Sequence, residues 1–246
     1  MRISNETLRA LEYLHVRAWP ALETDRIHGW LWRWSGGGSQ RANSVSTVDF
    51  NGNDIDAALD MVEVRYRSKN APIQLQTFDL TQPAELPALL AARGYGAGDT
   101  TLTLVATAGP TAPPSDVVVS DMPTPAWLEV YLEAITESRR ATNRHILRRI
   151  PDPRAFFTVV ENGRAISTGL CVVTGGHAVA ECIATRADAR GRRGADRVMR
   201  ALMAWAASLG AHTIGLQVVR ENQPALALYS RLGFEPVSTN RFWVKR

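Results

Sequence analysis

The sequence has few cysteines, almost no lysine and no long apolar runs, and each shortage excludes something. Two cysteines, Cys171 and Cys182, cannot build a disulfide framework or a four-cysteine zinc site. No apolar stretch approaches the roughly 18 residues that a membrane span needs, so no membrane partner is expected. His15, His28, His145, His177 and His212 show no metal-ligand spacing and no shared motif, and no metal is expected. The opening MRISNETLRALEYL carries acids and lacks a small-residue cleavage site, so it does not read as a secretory signal. The expected location is the cytoplasm. Apolar residues make up 45% of the chain and charged residues 21%, which excludes long disorder and low complexity and leaves room for a sizeable core.

The length of 246 residues suits one large domain or two smaller ones. The net charge of +4 fits an anionic ligand but is too small to argue for nucleic acid, and none is expected as a partner. The positive charge is nearly all arginine, and it clusters. Segment 186–200 holds six arginines against two aspartates. A second group, Arg139, Arg140, Arg144, Arg148 and Arg149, lies in an expected helix, where a solvated face accounts for it.

The stretch ATAGPTAPPSD (106–116) is small, proline-bearing and aperiodic, which marks a linker. The two sides of it repeat one pattern. Ile55, Ala58, Leu59, Val62 and Tyr66 fall at helical spacing after the capping residues Asn53 and Asp54. Ala195, Val198, Met199, Leu202 and Ala206 do the same, and Gly210 closes that helix. A strand follows each helix (72–78 and 213–219), then a second helix ending in a glycine-aromatic pair (89–95 and 228–234), then a last strand (101–106 and 241–246). Four matches in order at a nearly constant offset indicate a duplication. Further strands are expected at 28–34, 43–50, 155–161, 165–174 and 177–185. Residues 1–110 and 117–246 are therefore expected to be two similar modules joined at 111–116, each an α/β arrangement with a mixed sheet and helices on its faces. Trp30, Trp32 and Trp34 alternate along a strand and share one face, which suits packing in a core or between the modules.

The halves differ most between strand and helix. The second carries Ala189-Arg190-Gly191-Arg192-Arg193-Gly194-Ala195, and the first Val48-Asp49-Phe50-Asn51-Gly52-Asn53. Glycines let successive backbone N–H groups turn toward an anion, a helix N-terminus adds partial positive charge, and arginines add charge-assisted hydrogen bonds. An exposed turn would show the same composition, so the loop needs its context. Segment 181–234 supplies it, with an R-x-x-G-x-G/A-type loop after a strand and N-x-P-A-x-x-L-Y-x-x-L-G-F some thirty residues on. It resembles the GNAT superfamily of acyl-coenzyme A-dependent N-acyltransferases. The first half resembles the same fold without its phosphate loop, and segment 17–45 looks like the opening of tandem GNAT proteins with a degenerate first module. One position departs from the pattern: Arg193 stands where the family usually has glycine, and must hold its backbone without glycine's freedom.

The resemblance implies acetyl-CoA as co-substrate. Backbone groups of Ile183, Ala184 and Thr185 would pair with the pantetheine arm like an added strand. The loop of Arg190, Gly191, Arg192, Arg193, Gly194, Ala195 and Asp196 would hold the pyrophosphate. Asn222 would bond the arm from the other side, although it equally suits a helix N-cap before Pro224. Tyr229 matches the tyrosine that protonates the departing thiolate in such enzymes, where the first half has Leu90. The base is open. Glu181 stands two residues before Ile183, which on a regular strand puts both side chains on one face; it could take a proton from the amine, recognise a cationic acceptor, or simply be an exposed carboxylate. At Gln217, where ribosomal-protein N-terminal acetyltransferases carry a glutamate, there is no proton acceptor. Cys182 reads as a small core residue.

The expected function is transfer of acetyl from acetyl-CoA to a primary amine of a small molecule, by direct attack in a ternary complex, in a monomer or homodimer. The alternatives are a peptide or protein acceptor, an N-terminus or a lysine, and a non-catalytic acyl-CoA-binding protein. A peptide acceptor needs an open groove, which the expected final hairpin, 235–246, and the first module would decide.

Overall fold

Asp54 precedes the apolar set Ala58, Leu59, Val62 and Tyr66, and its carboxylate accepts a hydrogen bond from the Ala57 amide at 2.9 Å; a helix starts at Ile55. Thr124 does the same for the helix beginning at Pro125, whose proline suits a first turn that has no use for its missing N–H. In the computed structural model, which describes residues 3–109 and 114–246, the first half forms α1 (Asn5–Ala18), β1 (Glu23–Ile27), β2 (Trp30–Trp34), β3 (Val45–Ser46), α2 (Ile55–Ser68), β4 (Ile73–Phe78), α3 (Leu86–Ala92) and β5 (Gly96–Thr107). The second forms β6 (Val117–Ser120), α4 (Pro125–Glu133), α5 (Glu137–Leu147), β7 (Arg154–Glu161), β8 (Arg164–Thr174), β9 (His177–Thr185), α6 (Gly194–Ser208), β10 (Thr213–Val219), α7 (Gln223–Arg231) and β11 (Glu235–Lys245).

The expected mixed sheet with helices on its faces is present, but it is one sheet of eleven strands in the order β1-β2-β3-β4-β11-β5-β10-β9-β8-β7-β6. The last strand of each half crosses into the other. β5 pairs antiparallel with β10, Thr101↔Val219 to Thr107↔Thr213. β11 pairs with β4, Asn240↔Phe78 to Lys245↔Ile73, and on its other edge with β5. The division at 110 and 117 is thus a division of the sequence, while the sheet runs through it. Residues 110–113 of the expected linker lie outside the described residues, and Asp116 at its end is ion-paired to Arg197.

Three expectations are corrected here. The strand expected over 43–50 shrinks to Val45–Ser46, flanked by a 3-10 turn at Arg41–Asn43, because Thr47 turns its hydroxyl onto the Gln76 carbonyl in place of continuing the ladder. A separate strand, β1, precedes the tryptophan strand and pairs with it. The expected final hairpin is a single long strand paired on both edges, to β4 and β5, so it does not fold back as a free arm beside a groove.

The second half has helices on both faces. Val198, Met199, Leu202 and Ala206 of α6 pack with Ile214, Leu216 and Val218 of β10 and with Tyr229 of α7. On the opposite face, Leu11, Leu14 and Ala18 of α1 join Trp127 and Tyr131 of α4, Ile146 and Leu147 of α5, and Leu170, Val172 and Val179 of the sheet. α1, a first-half helix, therefore roofs second-half strands. Trp30 and Trp32 are buried in the first-half core with Leu59, Val62, Tyr66 and Trp243, as their alternation suggested, and Trp34 is half-buried beside Tyr66. The arginines of α5 do more than face solvent. Arg139 donates to the Gly38 carbonyl, and Arg149, just beyond the helix, donates to that of Leu22.

Candidate active site

β9 and β10 run parallel and are paired at three positions, His177↔Thr213, Ala178↔Ile214 and Val179↔Gly215. Beyond Val179 and Gly215 they part. The outer edge of β9 stays with β8 and that of β10 with β5, so the inner edges face each other across a V-shaped opening. Unpaired strand edges carry free N–H and C=O groups that an extended ligand can use as a further strand would. Ile183, Ala184 and Thr185 lie on one of those inner edges.

β9 is not regular there. Its pairing with β8 slips between Glu181↔Leu170 and Ala184↔Thr168, and Cys182 sits at φ +54°. This β-bulge gives two residues where a regular strand has one, and turns the chain over. Glu181 and Ile183 therefore face opposite sides, not one side as strict alternation predicted. Ile183 packs toward α6, and Glu181 lies under α1. The bulge faces Gly169, where a Cβ would stand 2.5 Å from Val198 and 2.7 Å from Ile183, so only glycine fits opposite it. Cys182 lies beside Tyr131, and burial raises its thiol far above the ordinary range, as befits a packing residue.

The opening leads to a cavity of about 380 Å³ lined by Thr185, Ala189, Arg190, Gly191, Arg193, Gly194, Ala195 and Asp196, and on the far side by Pro224, Ala225, Leu228 and Arg231. Gly191 takes φ +80°, and Arg193 is left-handed at φ 57°, ψ 23°. The departure from the family pattern thus falls on a position whose backbone has the glycine conformation. No side chain caps α6, so the first-turn N–H groups point into the cavity with the helix dipole behind them. A Cβ on Gly194 would stand 2.8 Å from Ser167 Cβ, so glycine is what lets the loop lie against β8. Arg190, Arg192 and Arg193 are exposed, and so is Arg231, which the sequence reading did not single out. Asp196 is buried and paired with Arg200 at 2.9 Å and Arg193 at 3.5 Å, so its carboxylate serves the loop and does not face a ligand alone. These groups suit a pyrophosphate.

Tyr229 is 7% exposed and its ring lies tilted against that of Phe234, with centroids 5.9 Å apart. Burial, with a contribution from Glu181, pushes its phenol up to about 12, and among the described residues its hydroxyl makes no hydrogen bond. It is a protonated donor left without a partner. Asn222 is exposed, and its Oδ1 accepts from the Ala225 amide at 3.3 Å, which is the capping alternative.

Glu181 is neither free nor exposed. It is 6% exposed, and Arg41 clamps it in a bidentate pair, Nη1 to Oε1 at 2.8 Å and Nη2 to Oε2 at 2.7 Å. His15 Nδ1 lies 3.0 Å from Oε1. Burial alone would raise its pKa, but Arg41 and His15 bring it down to about 2. A carboxylate so stabilised as an anion has little tendency to take a proton from an amine, so direct deprotonation by Glu181 does not fit its placement.

Beside it lies a small polar cavity of about 10 Å³, room for one water, lined by Glu12, His15, Arg33, Arg41, Gln76, Gln217 and Asn240 among others. Glu12 accepts from Thr103 at 2.9 Å, Asn240 at 3.0 Å and Gln217 at 3.1 Å, joining α1, β5, β11 and β10. Arg33 is 1% exposed and has only neutral partners, Ser44 and Gln76; burial lowers its pKa to about 10. Sequence reasoning missed His15, Arg41 and Glu12. They stand in the first half, 140 or more residues from Glu181, and no local motif marks them.

The chain and its fold have counterparts among known proteins. Residues 6–243 match the family described as "Probable histone acetyltransferase Rv0428c C-terminal". An uncharacterized N-acetyltransferase of Bacillus subtilis, YobR, is 27% identical over 98% of this chain and 100% of its own. The fold is that of a GCN5-related N-acetyltransferase from Kribbella flavida (TM-score 0.70, 13% identity, 96% of this chain and 95% of that one). It is likewise that of a tandem GNAT protein from the clavulanic acid biosynthesis pathway (TM-score 0.66, 12% identity, 98% and 95%). Enzymes of the GNAT type use acetyl-CoA. Among the described residues no cluster of His, Cys, Asp or Glu could hold a metal, and no helix is long and apolar enough to cross a membrane. With the family model spanning nearly its whole length, the chain belongs to the Rv0428c C-terminal acetyltransferase family and is a GNAT-type N-acetyltransferase.

Proposed function

We propose that the protein is a cytoplasmic enzyme that transfers acetyl from acetyl-CoA to the primary amine of a small molecule, by direct attack within a ternary complex. The observation that carries this reading is the V between β9 and β10 ending at an uncapped helix N-terminus ringed by Arg190, Arg193 and Arg231. The pyrophosphate takes the amides of Gly191 to Asp196, and the arm lies along Ile183, Ala184 and Thr185. Asn222 stays with its helix cap and offers its amide nitrogen to the arm. As the amine nitrogen attacks the thioester carbon, the C–S bond breaks and Tyr229 protonates the sulfur. Residues 1–110 form, in this reading, a GNAT-like module that has lost its phosphate loop and become the roof of its partner.

The roof favours a small acceptor. α1, α4 and Arg41 cover the face of the sheet over Glu181, and the polar space beneath is narrow, about 10 Å³. The family description favours a second reading, a protein lysine, and the assay should include a histone-type lysine peptide beside small amines. Wild type and Tyr229→Phe are compared in single-turnover release of coenzyme A thiol. A fall of ten-fold or more, about 1.4 kcal/mol of barrier, is expected with an accepted amine. Tight binding of acetyl-CoA with no turnover of any acceptor would instead indicate a binding protein.

A further inference from the structure

The reaction needs a base, and Glu181 is unsuited to it. Its partner is better placed. His15 is 3% exposed, and its Nδ1 lies 3.0 Å from Glu181 Oε1. An ionised carboxylate only accepts hydrogen bonds, so Nδ1 carries a proton, and the lone pair that a base needs can stand only on Nε2. Nε2 is buried and has no hydrogen-bond partner. It lies 3.5 Å from where a Cβ on Gly215 would stand, and Gly215 is the residue at which β10 leaves β9. The imidazole thus reaches from Glu181 on one arm of the V to the vertex beside the other, where Gly215 and Leu11 flank it. The water-sized cavity it lines also holds the side chain of Gln217, two residues along β10.

From this geometry we propose that His15 is the general base of the transfer, a catalytic residue supplied by the first half of the chain and oriented by Glu181. The proposal rests on the reading of the V as the acetyl-transfer site. The proton on the attacking amine nitrogen passes to Nε2, directly or through one water in the cavity, as the N–C bond forms. The sulfur leaves with the C–S electron pair and takes its proton from Tyr229. Solvent then removes the proton from His15 and restores that of Tyr229. Arg41 holds the far side of Glu181, so the carboxylate cannot rotate away from the ring. The charged groups around the imidazole are Glu181 from β9, Arg41 from the 3-10 turn, Arg33 from β2 and Glu12 from its own helix; β10 and β4 contribute the neutral Gln217 and Gln76. Their four formal charges cancel.

Three measurements on the full chain test this. In His15→Gln, kcat/KM for the best acceptor of an amine panel should fall at least 100-fold while the KM for acetyl-CoA stays within about two-fold, because the pyrophosphate site is elsewhere. In His15→Ala, added imidazoles should restore turnover in proportion to their basicity, which filling a void would not do. In the wild type, 15N NMR at pH 8 should show the Nδ1-protonated tautomer of His15, a result independent of any acceptor. Activity of His15→Gln within three-fold of wild type, rescue indifferent to basicity, or a proton on Nε2 would each overturn the assignment and leave the transferase reading standing. A wild type that binds acetyl-CoA but acetylates nothing would remove both.

Discussion

The two halves start the same helix in two ways. α2 opens on Asp54, whose carboxylate takes the Ala57 amide and fills the helix N-terminus with the chain's own negative charge. α6 opens on Arg193, which caps nothing, and behind it Gly191 and Gly194 keep the backbone bare. One end is satisfied internally, while the other is left positive for an anion to satisfy. The parallel pair before each helix differs in the same sense. Next to β3 and β4 the chain is closed by Thr47, which donates to the Gln76 carbonyl and meets the Thr81 hydroxyl at 3.0 Å. Between β9 and β10, among the described residues, the pairing stops at Gly215. In the reading proposed above, a duplicated fold divides its labour: the half that keeps the open V takes the co-substrate, and the other half provides the roof, β5, Arg41 and His15.

If that division is right, the halves cannot be separated. Deleting 235–246 removes a strand paired on both edges by β4 and β5, and should cost more than the 5–15 kcal/mol that holds an ordinary domain together. The expected outcome is loss of cooperative thermal unfolding; a truncated chain that still melts cooperatively would mean that the sheet tolerates separation. The next largest effect should come from the charge pair that joins them. Glu181→Ala leaves Arg41 facing an empty, partly buried site and should cost about 3–5 kcal/mol in urea unfolding. The same pair sets a pH dependence. With its folded pKa depressed to about 2, Glu181 contributes stability that is complete above its unfolded value near 4.5 and is lost as pH falls toward 2. Wild type should therefore lose its margin over Glu181→Gln across that window, by about 3 kcal/mol. Parallel curves for the two proteins would mean that the clamp carries no net stability.

Much of this was legible in the sequence because it is local. The Arg-Gly loop, the helix that Gly210 ends, the strands before and after it, and Tyr229 are each encoded within a few residues, and they lie where spacing put them. Three things were not legible. The bulge at Cys182 reverses the side of Glu181, and nothing in ECIAT distinguishes a strand with an extra residue from one without. Strand exchange left the pattern of each half unchanged, since β5 and β11 alternate in the same way whichever neighbour they take. The His15–Glu181–Arg41 cluster joins residues 140 and 166 positions apart, a distance across which periodicity carries no information. The open base and the unmarked residues have one cause: the cluster joins the two halves, and neither half's own pattern registers a contact with the other.

The smaller predictions act on the two helix starts themselves. Arg193→Asp places in α6 the acid that α2 already has. Aspartate tolerates the left-handed backbone there better than most residues, so the fold should hold, while its charge occupies the end meant for phosphate. Acetyl-CoA affinity measured by calorimetry should fall at least ten-fold, and the loss should shrink as salt rises. Asp54→Ala makes the opposite change in the first half, stripping α2 of its cap. It should cost about 1 kcal/mol of stability and leave acetyl-CoA affinity within two-fold, because that end has no opening to serve. A ten-fold loss of affinity in Asp54→Ala would mean that the first half still takes part in holding the co-substrate, and the contrast between the two helix starts would then be one of degree.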